Sequence, residues 1–226
     1  MAKPELHINS DNSIIIEFNA EISIELTRLI LGTKESIEAA KLDGFVEVVP
    51  AYDSLLIIFK AEQFKPEACL QQIESIVTSA TPVKEGQHQH HRIPVCYDKS
   101  FAPDLEYVAD YCGLTTDELI RLHCSSEYPV FMLGFLPGFL YLGELDERLH
   151  CPRRSEPRPR IEAGSVAIGG TQTGVYPINS PGGWHIIGKT PIKMFDVAKE
   201  PPAIASPLDT ISFEPISLEE FERYGD

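Results

Sequence analysis

From residue 134 to 191 the chain reads GFLPGFLYLGELDERLHCPRRSEPRPRIEAGSVAIGGTQTGVYPINSPGGWHIIGKTP, and this stretch restricts the fold more than any other. Glycine stands where backbone must turn sharply or approach another group closely, and proline removes a backbone donor. Between these breaks lie short apolar, β-branched runs. With the flanking sequence they predict strands at Val130–Phe135, Ser165–Ile168, Gly174–Tyr176, Trp184–Ile187, Ile192–Phe195 and Thr210–Glu214. Short strands with turn signals this dense point to a barrel or a compact antiparallel sheet. No internal repeat is evident.

The first third follows another pattern. Ser13–Phe18, Phe45–Val49 and Leu55–Phe59 read as strands, the last two around the turn signal Pro50-Ala51-Tyr52-Asp53-Ser54. Glu25–Lys41 carries Leu26, Leu29, Ile30 and Ile37 at helical spacing, and Pro66–Ser79 carries Cys69, Leu70, Ile73 and Val77. The order β-α-β-β-α predicts a small α+β layer spanning residues 1–82. A polar linker, 83–92, then leads to a mainly-β domain over 93–226. That domain opens with a strand at Ile93–Tyr97 and two short helices. Leu105, Val108, Ala109 and Cys112 form one helix face, ending at Gly113. Thr115 and Glu118 form a capping box that starts the second helix.

Composition narrows the function. The formal net charge of −15 argues against a nucleic-acid partner, because phosphate neutralisation needs clustered Lys and Arg. No apolar run approaches the roughly 18 residues that mark a membrane span. The start, MAKPELHINSDNS, lacks the apolar core of a secretory signal, so a cytoplasmic location is expected. The five cysteines form no C-x-x-C pair, which gives zinc and redox readings little support. His88, His90 and His91 fall in the linker, where a fixed metal geometry is not expected, so no metal site is assigned.

Gly183 to Thr190 matches the phosphate-loop pattern G-x-x-x-x-G-K-[ST]. Its interior, Trp184-His185-Ile186-Ile187, is bulky and strand-prone, and Pro191 biases Thr190 away from a helix start. The stretch is read as strand and turn, so nucleotide chemistry has to be sought elsewhere.

Three features remain as site candidates. Arg153, Arg154, Arg158 and Arg160 form the dense basic patch of an acidic chain, stiffened by Pro152, Pro157 and Pro159. Guanidinium forks suit carboxylates or phosphates, and they equally suit a solubilising loop paired with surface acids. The loop from Gly169 to Gly174 offers backbone N–H groups, hydroxyls and an amide to a small polar ligand, or simply connects two strands. His123 shares a helix face with Leu119 and Ile120, which fits both a hydrogen-bonded core histidine and an acid–base group.

These residues, taken together, resemble the family of B-type subunits of 5-oxoprolinase, also known as the Kip-type kinase-inhibitor and allophanate hydrolase subunit 1 family. The likeness rests on Ile93-Pro94-Val95-Cys96-Tyr97, Arg121-Leu122-His123, GFLPGFLYLG, CPRRSEPRPRIEAGSVAIGG, TQTGVYP and SPGGWHIIGKTP. It is strongest from Ile93 to Asp196 and weaker in the N-terminal part. Leu140 and Glu144 stand where the family has Pro and Gly. The resemblance implies an α+β domain followed by a cyclophilin-like barrel. It also implies a protein that is inactive alone. Such a protein joins a homologous C-type polypeptide and an A-type polypeptide to cleave 5-oxoproline to glutamate with ATP. Which of the three binds ATP stays open. Two alternative roles come with the resemblance, inhibition of a sensor histidine kinase and the carboxyltransferase part of a urea carboxylase. On the enzyme reading, catalytic roles fall to His123, Arg153 and Arg154. Gly169, Gly170, Gln172, Thr173, Pro181, Gly182, Gly183 and Trp184 would line the substrate pocket.

Overall fold

In a computed structural model, residues 3–84, 86 and 88–224 are described. Contacts divide the chain into two compact units, Met1–Gln87 and His88–Asp226.

The first unit is a four-stranded antiparallel sheet, β1 (Glu5–Ser10), β2 (Ser13–Glu17), β3 (Phe45–Pro50) and β4 (Ser54–Phe59), in the order β1-β2-β4-β3. Strict alternation in β4 buries Leu55, Ile57 and Phe59 on one face. Against that face pack α1 (Ile24–Ala39), through Leu26, Ile30 and Ile37, and α2 (Pro66–Ser79), through Cys69 and Ile73. Ser23 caps α1 by accepting the Leu26 N–H at 3.2 Å, satisfying one donor of the first turn. The expected order lacked β1. That edge strand is almost wholly exposed, and its alternation rests on only two apolar residues, Leu6 and Ile8, too few to mark a strand.

The second unit is mostly β. It contains β5 (His90–Cys96), α3 (Leu105–Cys112), α4 (Thr116–Ser125), β6 (Tyr128–Leu133), β7 (Leu140–Leu142) and β8 (Arg158–Ile161). After these come β9 (Ser165–Gly169), β10 (Gln172–Val175), β11 (Ser180–Gly182), β12 (His185–Lys189), β13 (Thr210–Ile216) and α5 (Leu218–Arg223). Seven strands close into a barrel in the order β10-β7-β6-β13-β5-β12-β9, and β8 pairs with β11 outside it. Closure removes open edges from the barrel sheet. One pairing is parallel: β13 runs beside β5 from Thr210↔His90 to Ile216↔Cys96. Val95, Val130, Leu142, Val166, Ile168, Val175, Ile187 and Ile211 fill the interior without solvent exposure. The capping box at Thr115 and Glu118 is present at the start of α4.

Two expectations need correction here. His90, His91 and Arg92, placed in the linker, belong to β5, because Thr210, Ser212 and Asp209 give the two histidines partners that local sequence cannot reveal. His90 bonds the Thr210 and Ser212 hydroxyls at 2.8 and 3.0 Å, and His91 bonds Asp209 at 3.1 Å. The strand expected at Ile192–Phe195 does not form. That segment keeps a single bridge, Phe195↔Ala203, because β12 is already paired on both sides by β9 and β5. The phosphate-loop pattern lies across β12, with Ile186 and Ile187 buried, and no helix starts at Thr190.

Candidate functional site

On one side of the barrel a cavity of about 380 Å³ is lined by Phe135, Phe139, Tyr141, Arg153, Arg154, Pro157, Tyr176, Pro181, Gly182, Gly183 and Trp184. Its floor is aromatic. Phe139 meets Tyr141, Tyr176 and Trp184 edge-on at 5.0, 5.5 and 5.6 Å, and Phe135 closes on it at 5.7 Å. Edge-to-face contacts fix each ring through its neighbours, so the floor is built before a ligand arrives. Glycine makes this packing possible at two points. A Cβ at Gly169 would lie 2.5 Å from the Trp184 ring, and one at Gly182 would lie 2.3 Å from the Tyr176 hydroxyl.

The arginine ribbon forms another wall, tied down at four places. Cys151 exchanges backbone hydrogen bonds with Gly170 at 3.1 and 2.7 Å. His185 Nε2 donates to the Pro152 carbonyl at 3.0 Å, and the Arg154 N–H donates to the Gly183 carbonyl at 2.8 Å. Arg158 gives Asp104 a two-pronged fork at 2.7 and 2.8 Å, and Arg154 adds a third bond at 3.3 Å. Asp104 is 5% exposed. Burial pushes its carboxyl up, but the bonds from Arg158 and the Ile186 N–H, with the charges of both arginines, hold it below the usual carboxylate range. Arg153 is different. Its guanidinium carbon lies 5.8 Å from the Trp184 ring centroid, and it makes no ion pair among the described residues. Burial raises the phenols of Tyr141 and Tyr176, and the Arg153 charge partly offsets this. The cavity therefore combines an aromatic floor with a cation that has no acidic partner among the described residues, an arrangement suited to a small anion.

Of the expected site residues, Arg153, Arg154, Pro181, Gly182, Gly183 and Trp184 come together in this cavity. His123 does not. It is fully buried in the barrel core, stacked on Phe213 at 4.5 Å, with burial pushing its pKa down to about 3. Its bonding is complete. The Thr173 hydroxyl donates to the Ala167 carbonyl at 3.1 Å and so accepts from His123 Nε2–H at 2.8 Å. Nδ1 is then the acceptor for the Tyr97 hydroxyl, also at 2.8 Å. A neutral, enclosed imidazole of this kind has no access to substrate. Thr173 is buried with it and serves the core. Gly169 lies behind Trp184, Gly170 turns at φ 69° to bond Cys151, and Gln172 starts β10; none of the three lines the cavity.

Sequence reasoning missed Phe139, Tyr141, Tyr176 and Asp104. Tyr176 lies in the strand expected at Gly174–Tyr176, whereas Phe139 and Tyr141 fall in a Gly- and Pro-broken run that carries no clear period. Nothing local marks Asp104 as the partner of Arg154 and Arg158, which lie 50 and 54 positions later.

A seven-stranded barrel with an aromatic cavity walled by an arginine ribbon defines the class, and the likeness to known proteins agrees. The chain belongs to the family described as carboxyltransferase domain, subdomain C and D, which matches residues 4–205. Within it the chain is 39% identical to the B-type subunit of 5-oxoprolinase from Bacillus subtilis (strain 168), over 95% of this chain and 93% of that protein. It is 36% identical to the B-type 5-oxoprolinase subunit of Escherichia coli O157:H7, over 95% and 97%. Among solved structures, a conserved uncharacterized protein from Pyrococcus horikoshii is 40% identical with a TM-score of 0.58, covering 96% of this chain and 100% of that one. The urea carboxylase of Kluyveromyces lactis shares the fold, with a TM-score of 0.82 at 20% identity, over 97% of this chain and 22% of its own.

Proposed function

We propose that this chain is the B-type subunit of an ATP-dependent 5-oxoprolinase, a hydrolase complex completed by the A-type and C-type polypeptides, and that the aromatic cavity holds 5-oxoproline. The reading includes a cyclophilin-like barrel following an α+β domain, no activity in isolation, and a cytoplasmic location. It is supported by relatives, matched over nearly their whole length, that are named as B-type subunits of 5-oxoprolinase. Among the described residues no helix is long and apolar enough to cross a membrane.

One observation carries the site assignment: Arg153 lies over Trp184 with no carboxylate among the described residues to neutralise it. 5-Oxoproline is a small ring bearing one carboxylate and a cyclic amide. Arg153 holds the carboxylate through charge-assisted hydrogen bonds, and the ring lies against Trp184 and Phe139. Arg154, at the same wall, is held by Asp104 and adds its charge beside the pocket. Unactivated amides hydrolyse slowly, and ATP supplies the activation by phosphorylating the amide oxygen. Within Gly183 to Thr190 the residues His185–Lys189 form β12, and the stretch does not lead into a helix at Thr190, so no step of this chain is assigned to nucleotide. Its residues bind the carboxylate, orient the ring and exclude water from the aromatic floor. His123 is assigned to the core.

The test is reconstitution. The chain combined with its A-type and C-type partners should release glutamate from 5-oxoproline only when ATP is present, and the chain alone should not. A reconstituted, stably associated complex that leaves 5-oxoproline untouched would refute the proposal.

A further inference from the structure

The two oxygens of Asp104 accept four hydrogen bonds. One takes Arg158 Nη1 and the Ile186 N–H, both at 2.7 Å; the other takes Arg158 Nη2 at 2.8 Å and Arg154 Nη1 at 3.3 Å. That fills the acceptor capacity of a carboxylate. The Asp104 backbone N–H returns a bond to the Ile186 carbonyl at 3.0 Å, so this residue is pinned to β12 from both its main chain and its side chain. Asp104 occupies the N-cap position of α3 yet makes no side-chain bond to that helix end. An aspartate there ordinarily caps the helix. Here its charge is turned towards the arginines instead.

The consequence falls on the residue between them. Arg153 is flanked by Pro152, held through its carbonyl by His185, and by Arg154, held by Gly183 and Asp104. Arg158 holds the far end of the same proline-rich ribbon. With Arg154 and Arg158 occupied by one carboxylate, Arg153 is the guanidinium of this trio left without an ion pair.

We infer that Asp104 is a positioning residue for the anion pocket: by clamping Arg154 and Arg158 it fixes the ribbon so that Arg153 points over Trp184. This rests on the reading of the cavity as the 5-oxoproline site. It also runs against simple electrostatics. If Asp104 acted only through its negative charge beside the cavity, removing it would tighten binding of an anion. The clamp requires the opposite.

Two measurements separate the clamp from the functional reading. In the reconstituted complex, Asp104→Asn should raise KM for 5-oxoproline about tenfold while kcat changes less than about twofold, the loss expected when a charged hydrogen bond is misplaced rather than deleted. Because Asp104 acts through Arg153, adding Asp104→Asn to Arg153→Ala should raise KM no further. A residue that merely stabilised the fold would add its effect in both backgrounds. In the chain alone, Trp184 is the only tryptophan. Iodide, drawn by the Arg153 charge, should quench its emission more than caesium does, and Asp104→Asn should shrink that preference at least about twofold. If Asp104→Asn does not fold by circular dichroism, Arg158→Lys keeps the charge, loses the fork, and should move both readouts in the same direction. An unchanged or lowered KM, additive effects, or an unchanged iodide preference would overturn the clamp. A complex with no 5-oxoproline turnover would instead overturn the functional reading, and the quenching comparison alone would then decide the clamp.

Discussion

Lowering the pH from 7 to 5 should destabilise the barrel through His123, although this residue is fully buried. Burial holds its folded pKa at about 3, whereas an unfolded histidine titrates near about 6.5. Its depressed pKa means that the unfolded chain binds the proton first. The contribution of neutral His123 is therefore complete above about pH 6.5 and is lost progressively as the pH falls towards 3. Between pH 7 and 5 the linkage amounts to about 2 kcal/mol, rising to about 5 kcal/mol below pH 3. Urea unfolding followed by Trp184 emission measures it, since that tryptophan sits in the barrel unit. His123→Gln keeps hydrogen-bonding capacity towards Tyr97 and Thr173 but cannot take up the proton. It should be less stable than the parent at pH 7, and its further loss on going to pH 5 should be smaller by about 2 kcal/mol. His185, whose pKa is also depressed by burial, contributes equally to both proteins and cancels in the comparison. Equal pH dependence in the two proteins would refute the buried, neutral assignment and return His123 to consideration as a proton carrier.

Other expected outcomes concern the cavity floor and the core. Gly169→Ala drives a methyl group into the Trp184 ring, and should cost about 1–3 kcal/mol by chemical denaturation while shifting the Trp184 emission maximum. Phe139→Ala removes the ring that Tyr141, Tyr176 and Trp184 all pack against, and should cost about 3–5 kcal/mol on the same assay. Thr173→Val strands the His123 Nε2–H without an acceptor, and should cost about 1–3 kcal/mol with KM for 5-oxoproline unchanged in the complex.

The sequence disclosed the elements that carry a strong period or a cap. Leu55, Ile57 and Phe59 alternate, Leu26, Ile30 and Ile37 repeat at helical spacing, and Thr115 with Glu118 marks a helix start. All three signals are local, and all three elements formed. What stayed hidden depends on distant partners. β7 spans three residues and β11 is Ser-Pro-Gly, too short and too proline- and glycine-rich to announce a strand; β8, Arg-Pro-Arg-Ile, is a ribbon made into a strand by β11. At the site, the density of arginine marked the ribbon, and the family resemblance pointed to Pro181–Trp184, which lines the same cavity. It did not separate Arg153 from Arg154, because that distinction is made by Asp104 across the fold. Nor did it separate His123 from the pocket. A histidine on an apolar helix face reads alike whether Thr173 and Tyr97 enclose it or a substrate meets it.

The central claim is that the Arg153 cation over Trp184 holds the substrate carboxylate, and the most direct measurement is the steady-state rate of ATP-dependent glutamate formation by the complex carrying Arg153→Ala. A charge-assisted bond worth about 1.5–3 kcal/mol predicts a fall in kcat/KM of about 10- to 100-fold, with the complex still assembled. Unaltered kcat/KM in that complex would contradict the account.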